Sequence, residues 1–169
     1  MGPRHLKTIA EGILLSKIRY CLPVYGTGCL RLQESDPKTG LGQQLQVIQN
    51  DMLRILTNNR RSDHTRISNM LDDTKFMSVN QMAAYGLLVE MWKAREFKVP
   101  VLGSLLDRRR NDERTLRSDS ENRVATTCRD SLAINIERLW NMASGKLKNT
   151  NLLTIAKSEA RALAKTLPV

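Results

Sequence analysis

The sequence predicts an all-α protein, a helical bundle of about five to six helices with a basic, partly irregular connection. Apolar residues recur at three- and four-residue spacing through most of the chain, which is the pattern of helices with one buried face. Ser78-Val-Asn-Gln81 is a capping box, in which side chains satisfy free backbone N–H groups at a helix start. Pro and Gly are concentrated between the periodic segments, as from Pro23 to Gly28, where a helix must stop.

Three helices are predicted before the capping box. The first runs from Pro3 to about Leu22, because Pro is tolerated in a first turn and Pro23 disfavours helical geometry at the residue before it. Its apolar positions are Leu6, Ile9, Ala10, Ile13 and Leu14. The second helix ends at Asn58–Asn59 and has the apolar stripe Leu41, Leu45, Ile48, Met52 and Ile55. A short third helix has Asp63 as its predicted N-cap and an apolar side formed by Ile67, Met70 and Leu71.

The helix that follows the capping box is predicted to lie at the centre of its domain and to extend to about Phe97. Its apolar residues surround most of the helix, namely Met82, Tyr85, Leu87, Leu88, Val89, Met91 and Trp92. Small or polar residues form only one narrow strip, made of Ala83, Gly86, Glu90 and Lys93. A helix that is apolar on nearly every side is a core helix.

The segment Pro100–Thr126 is rich in charge and poor in apolar residues after Leu106, so it predicts an exposed connection. A helix that ends near Met142 is predicted next, from the apolar residues Leu132, Ala133, Ile136, Leu139 and Trp140. The last helix is predicted from Thr150 to Leu167, with the inward-facing residues Leu152, Ala156, Leu163 and Leu167.

The charge balance favours an anionic partner. The 169 residues include 27 Lys and Arg against 17 Asp and Glu, a net charge of +10. The longest uncharged runs, such as Tyr20 to Leu30, are too short to span a bilayer, and Lys7, Glu11 and Lys17 interrupt any leader pattern. Three cysteines, an odd number, are expected to be reduced. We therefore expect an intracellular protein of the nucleus or cytoplasm, with no membrane partner.

No catalytic residue, metal site or cofactor is predicted. Leu71-Asp72-Asp73 contains the paired aspartates of metal-dependent polymerases, but it lacks a strand turn and a third upstream carboxylate. We interpret it as the polar end of a short helix. Cys21, Cys29, His64 and Cys128 lack the close pairs typical of zinc sites, and neither His5 nor His64 has the context of a nucleophile's base.

Three basic clusters are the candidate binding residues. The first lies between helices at Arg60, Arg61 and Arg66, with Arg54 on the polar side of the preceding helix. The second is in the connection, at Arg108, Arg109 and Arg110. The third is Lys157, Arg161 and Lys165, at four-residue spacing on the last helix, which we call the basic ridge. Each cluster taken alone is most often a solvated surface feature, but the clusters together with the net charge of +10 favour contacts with phosphates.

Four groups of segments, in order along the chain, carry a resemblance to one known family. The first is Ile13-Leu-Leu-Ser-Lys-Ile-Arg-Tyr-Cys-Leu-Pro-Val-Tyr-Gly26, a passage from a helix into a loop. The second is Leu45-Gln-Val-Ile-Gln-Asn50 with Arg54-Ile-Leu, in the next helix. The third is Met77-Ser-Val-Asn-Gln-Met-Ala-Ala-Tyr85 with Trp92-Lys-Ala, and the fourth is Ala133 to Asn141. The ordered set covers most of residues 5–145 and resembles the region after the polymerase core of LINE-type (non-LTR) retrotransposon reverse transcriptases.

The resemblance implies a helical thumb-like domain at 1–98, a charged connection at 99–126, and a C-terminal helical segment at 127–169 that packs on the first domain. In that family the thumb holds a template–primer duplex against a palm domain. The palm and its catalytic aspartates are absent from this sequence, so no enzymatic activity is expected from the chain alone. The implied partner is an RNA–DNA or DNA duplex, with a palm domain or other protein as a further partner.

The alternative is a helical protein-interaction domain derived from such an element, in which the charge serves solubility. The two hypotheses differ in where the cations lie. A single face shared by Arg60, Arg61, Arg66 and the basic ridge would favour nucleic-acid binding.

Overall fold

The computed structural model describes residues 3–20, 22, 29–36, 40–98 and 132–169. The helices in these ranges are α1 (Pro3–Ile9), α2 (Ser16–Arg19), α3 (Gly40–Thr57), α4 (Ile67–Thr74), α5 (Val79–Glu96), α6 (Leu132–Asn141), α7 (Gly145–Asn149) and α8 (Leu153–Lys165). A π turn at Ala10–Leu15 joins α1 to α2, and a 3₁₀ turn spans Arg61–Asp63. No strand occurs in the described ranges, so the predicted all-α fold is confirmed.

Contacts divide the chain into two compact units. The first unit is Met1–Ala83 together with Leu167–Val169, and the second unit is Ala84–Thr166, so that the division falls within α5. The domain limits 1–98, 99–126 and 127–169 stay predictions, and the connection Pro100–Thr126 lies outside the described residues.

The N-terminal helical segment buries a different set of residues from the predicted one. Leu15 and Ile18 lie in the core, whereas Ile9 and Ile13 are exposed, so the predicted face is wrong at those two positions. The π turn is the physical reason, because its i→i+5 hydrogen bonding widens the turn and rotates later residues away from α-helical spacing.

The predicted apolar stripe of α3 is largely wrong. Leu41, Ile48 and Ile55 are exposed, Ile55 at 70%, and the buried residues of α3 are Gln49, Met52 and Leu53. Because a polar glutamine lies at the centre of the buried face, that face does not show the apolar periodicity from which buried helix faces are predicted. Gln49 is wholly buried, and its Nε2 donates to the Met77 carbonyl at 2.7 Å, which meets the requirement that buried polar groups be paired.

The helix α4 begins later than predicted, and Asp63 is not its N-cap. The N-cap of α4 is Arg66, and Asp63 ends the preceding 3₁₀ turn. The Asp63 carboxylate accepts a hydrogen bond from the backbone N–H of Arg60 at 2.7 Å, so it stabilises the 3₁₀ turn and does not cap α4. The apolar side of α4 is as predicted at Met70 and Leu71, which are buried.

The capping box before α5 is confirmed. Gln81 N–H donates to Ser78 Oγ at 3.2 Å, and Ser78 N–H donates to Gln81 Oε1 at 3.1 Å. The core character of α5 is confirmed as well, since its apolar residues except the half-buried Tyr85 are buried. Ala83 of the predicted small or polar strip is also fully buried, because an alanine can pack in a core as readily as at a surface.

In the second unit, α6 buries Ile136, Leu139 and Trp140 as predicted. The short helix α7 was not expected from the sequence, and Ser144 caps it by accepting the Leu147 N–H at 3.2 Å. The buried face of α8 consists of alanines, namely Ala156, Ala160 and Ala164. Leu152 precedes α8 and is exposed, so its predicted inward position is wrong.

Candidate nucleic-acid interface

The basic ridge lies on one exposed side of α8. Each of its cations directly follows one of the buried alanines, so all three side chains leave the helix in a similar direction. Lys157, Arg161 and Lys165 are all exposed. Four residues of α-helix rise by about 6 Å, so the ridge extends about 12 Å along the helix axis. That length is comparable with a few consecutive phosphates of one strand, which rise about 3.4 Å each along a duplex.

Arg161 is held by an aromatic ring. Its guanidinium carbon lies 5.7 Å from the centroid of the Tyr85 ring, within the range of a cation–π contact. Tyr85 is half-buried on α5, in the same unit. The contact limits the conformations of Arg161 and leaves its N–H donors available, so the middle cation of the ridge is preorganised.

The second unit, which contains the basic ridge, has a net positive charge. Its described residues include nine Lys and Arg against four Asp and Glu, a net charge of +5. Glu159, the acidic residue of α8, accepts a hydrogen bond from Ser144 Oγ at 2.9 Å. By contrast, residues 99–131 contain seven Arg and six Asp or Glu, so acidic neighbours nearly balance the Arg108–Arg110 cluster in charge. The three arginines of that cluster lie outside the described residues.

Two further cations of the second unit, Arg95 and Lys146, were missed in the sequence. Arg95 Nη1 donates to the Lys148 carbonyl at 2.6 Å, which places the Arg95 guanidinium beside α7. Lys146 of α7 is exposed. Trp92 Nε1 donates to the Thr150 carbonyl at 2.8 Å and fixes the segment between α7 and α8. No local pattern predicts this group, because α7 is short and 53 residues separate Arg95 from Lys148.

In the first unit, two of the four candidate arginines are paired with one aspartate. Arg61 Nη2 lies 2.9 Å from Asp51 Oδ1 and 3.0 Å from Asp51 Oδ2. Arg54 Nη1 lies 3.6 Å from Asp51 Oδ1. Asp51 therefore offsets part of the charge that Arg54 and Arg61 could offer to a phosphate.

Arg60 and Arg66 are the more available arginines of this group. Both are exposed, and neither side chain has an ion pair within the described part of the chain. The Arg60 backbone N–H donates to the Asp63 carboxylate in the 3₁₀ turn, and Arg66 is the N-cap residue of α4. These arginines lie in the first unit, whereas the basic ridge lies in the second.

Within the described ranges, the residues considered for catalysis or metal binding form no metal-binding group. Asp72 and Asp73 are exposed in the last turn of α4, with no strand in the described ranges. His64 is exposed, whereas Cys29 is buried, and burial raises the pKa of the Cys29 thiol. The described residues contain no group of three or more potential metal ligands. Cys21 and Cys128 lie outside those residues.

Comparisons with models of protein families, with curated proteins and with solved structures found no match for this chain. Among the described helices, none combines the length and the apolar character needed to cross a bilayer.

Proposed function

We propose that this chain is a nucleic-acid-binding helical module, similar to the thumb of a retrotransposon reverse transcriptase, which contacts the phosphates of a duplex. The observation that carries the proposal is the basic ridge. Three exposed cations on one side of α8, one of them oriented by Tyr85, lie in a unit with a net charge of +5. Cations in this arrangement replace condensed counterions on a phosphate backbone, and the released counterions drive binding.

A duplex suits this surface better than a single strand. Proteins that bind single strands stack successive bases on several exposed aromatic rings. Among the described residues, Tyr20 and Phe97 are the strongly exposed aromatics, and they lie in different units. Each unit therefore has one strongly exposed ring among its described residues, fewer than the series of rings that stacks successive bases, so phosphate contacts dominate the proposed interaction.

The test is the affinity of the full chain for an RNA–DNA duplex, a DNA duplex and a single strand, measured over a series of salt concentrations. Contact with about five phosphates predicts a slope near −4.5 for the logarithm of affinity against the logarithm of salt on B-form DNA. Both duplexes should bind more tightly than the single strand. A flat salt response, or no binding at micromolar protein, would contradict the proposal. The proposed role is not catalytic, so the chain should extend no primer when Mg²⁺ and nucleotides are supplied.

One observation favours a protein-interaction domain as the second candidate. Leu41, Ile48 and Ile55 are exposed along α3 at seven-residue spacing, and Val47 lies beside them. An exposed apolar row of this kind is typical of a helix that packs against another protein. Ile48→Glu should abolish such an interaction and leave the affinity for a duplex unchanged.

A further inference from the structure

The first unit contains a cavity of about 230 Å³ beside the middle of α3 and the start of α5. Val47, Val79 and Val169 contribute apolar walls. The cavity is larger than an apolar cavity of about 150 Å³ that binds benzene, so it has room for a small branched hydrocarbon group. Among the described residues that line it, Arg31 is the only one with a charged side chain. Apolar walls beside a cation favour a ligand that combines an apolar group with a negative charge.

Backbone groups determine how the amides around this cavity are oriented. Val79 N–H donates to Gln46 Oε1 at 3.1 Å, so the nitrogen of Gln46 must be a donor. Gln46 Nε2 donates to Asn50 Oδ1 at 2.8 Å and to Gln49 Oε1 at 3.1 Å. Gln49 Nε2 in turn donates to the Met77 carbonyl at 2.7 Å. An N–H group at one end and a carbonyl at the other therefore fix every amide in the series.

These bonds leave a donor available at the cavity, whereas the fixed acceptors are already engaged. Asn50 Oδ1 accepts from Gln46, and Asn50 Nδ2 donates to no group within the described part of the chain. Gln46 Oε1 and Asn80 Oδ1 each accept a backbone N–H. The nitrogens of these two amides each donate to two groups already. Gln43 is exposed and can turn either its donor or its acceptor toward a ligand, so it does not select between ligands.

Arg31 is a half-buried cation that has no ion pair with a carboxylate in the described part of the chain. Its backbone is held by Asn80, which accepts from the Arg31 N–H at 2.8 Å and donates to the Arg31 carbonyl at 2.9 Å. Its guanidinium donates to the carbonyls of Asp36 and Glu34 at 3.1 and 2.7 Å, which uses two of the five N–H donors of such a group. Carbonyls are neutral, so these bonds fix the position of the guanidinium without neutralising its charge. An anionic ligand would supply the counter-ion.

We infer that this cavity binds a carboxylate that bears a small apolar group. An ionised carboxylate only accepts hydrogen bonds, so it matches the Asn50 Nδ2 donor and the charge of Arg31. A primary amide brings N–H groups for which the fixed side chains offer no unengaged acceptor, and an ammonium group is repelled by Arg31. The apolar group of the ligand packs against the valine walls. The inference does not depend on nucleic-acid binding, and its site lies in the other unit from the basic ridge.

The first experiment compares three probes that share one branched apolar group, namely 3-methylbutanoate, 3-methylbutanamide and 3-methylbutylamine. Each is titrated into the full chain at about pH 7, where the carboxylate is ionised, and NMR follows the backbone amide signals of Arg31 and Asn50. The carboxylate should shift both signals at millimolar concentration, with an affinity at least about fivefold above that of the amide, and the amine should not bind. Equal affinities of the carboxylate and the amide would overturn the inference. No shift of these two signals by millimolar carboxylate would overturn it as well.

Acetate tests whether the ligand enters the cavity. It has the same charged group as 3-methylbutanoate and lacks most of the apolar part, so it should bind at least about fivefold more weakly. Equal affinities of the two carboxylates would mean that the anion contacts a surface cation outside the apolar walls, which would contradict the inference.

The variant Asn50→Asp tests the electrostatic part of the inference. The aspartate retains an oxygen to accept from Gln46, but it replaces the Nδ2 donor by a negative charge, so the affinity for 3-methylbutanoate should fall at least about tenfold. The control is Asn69→Asp, which makes the same change at an exposed position of α4 in the same unit and should leave the affinity unchanged. Equal affinities of the two variants would contradict the inference, and the wild-type probe series decides the question if Asn50→Asp fails to fold.

Two sources share this ligand chemistry, a free short-chain carboxylic acid and the end of a peptide whose last residue is apolar. The peptide acetyl-Gly-Gly-Leu with a free carboxylate represents the second source. Tighter binding of this peptide than of 3-methylbutanoate would identify a chain end as the ligand, and the reverse order would identify a free acid. None of the probes contains a nucleobase or a phosphate, so their failure to bind would overturn the cavity inference and leave the proposed function intact. Selective binding of the carboxylate without salt-dependent binding of a duplex would do the reverse.

Discussion

Arg161 on α8 and Tyr85 on α5 are in contact, with the guanidinium carbon 5.7 Å from the ring centroid, although 76 residues separate them in the chain. Both residues belong to the second unit. The contact links the central helix of the fold to the surface that carries the basic ridge. It also indicates that Tyr85, half-buried and apolar in pattern, affects how that surface is presented.

We predict that Tyr85→Leu weakens duplex binding and that Tyr85→Phe does not. A cation–π contact at a partly exposed site contributes about 0.5–1 kcal/mol, so its loss should reduce affinity about two- to fivefold. Phenylalanine retains the ring and therefore serves as the control. Duplex affinity at one low salt concentration measures the effect, and equal affinities of the two variants would show that the ring does not position Arg161.

Trp92→Ala should destabilise the protein by about 3–5 kcal/mol, because the side chain is 4% exposed and lies in the core helix α5. Trp92→Phe retains most of the apolar contact and removes the hydrogen bond to the Thr150 carbonyl, which should cost about 1–2 kcal/mol. Denaturation in urea measures both values. A neutral Trp92→Ala variant would contradict the central position of α5.

Ser78→Ala should cost about 1 kcal/mol, the usual loss for an N-cap side chain. The reason is that Ser78 Oγ accepts the Gln81 N–H at 3.2 Å in a fully buried position, where no water replaces it. Ser68→Ala, at an exposed position of α4, is the matched control and should be close to neutral. Equal denaturation midpoints for the two variants would argue against the capping role.

The buried thiol of Cys29 predicts a pH effect on stability. Burial holds its pKa above the ordinary value of 9.0 in the folded protein, so the unfolded chain loses the thiol proton first. The contribution of Cys29 is therefore fully present below the unfolded pKa and is lost as the pH rises through the folded one. In a chain with Cys21→Ser and Cys128→Ser, the free energy of unfolding should fall between about pH 8 and pH 10 more than in a matched chain that also has Cys29→Ser. Identical pH dependence in the two chains would contradict the prediction.

Part of the fold follows from local sequence signals. The capping box at Ser78 and Gln81 and the apolar character of α5 need no knowledge of distant contacts, and both are confirmed. The buried face of α3 could not be predicted in this way. Gln49 occupies this face because both ends of its side-chain amide are hydrogen-bonded. Its nitrogen donates to the carbonyl of Met77, 28 residues further along, and its oxygen accepts from the amide of Gln46, 3 residues earlier. A polar residue whose partners lie far along the chain has the same appearance in sequence as an exposed one.

The candidate interface also combines features that local sequence predicts with features that depend on distant contacts. The four-residue spacing of Lys157, Arg161 and Lys165 was sufficient to predict one exposed side of a helix. The pairing of Arg61 with Asp51 and the support of Arg161 by Tyr85 depend on tertiary contacts, and periodicity contains no information about them. Sequence reasoning therefore identified cations but could not rank them by availability.

The most direct test of the proposed function is the salt dependence of duplex binding in two charge-matched variants. One variant replaces Lys157, Arg161 and Lys165 of the basic ridge by Gln. The other replaces three exposed lysines elsewhere, Lys17, Lys75 and Lys98, and so removes the same net charge. If the ridge engages phosphates, the ridge variant should lose up to about 2.7 from the magnitude of the salt slope, while the control retains nearly the wild-type slope. The same slope in both variants would mean that net charge alone attracts the duplex, and it would contradict a phosphate-binding role for the ridge.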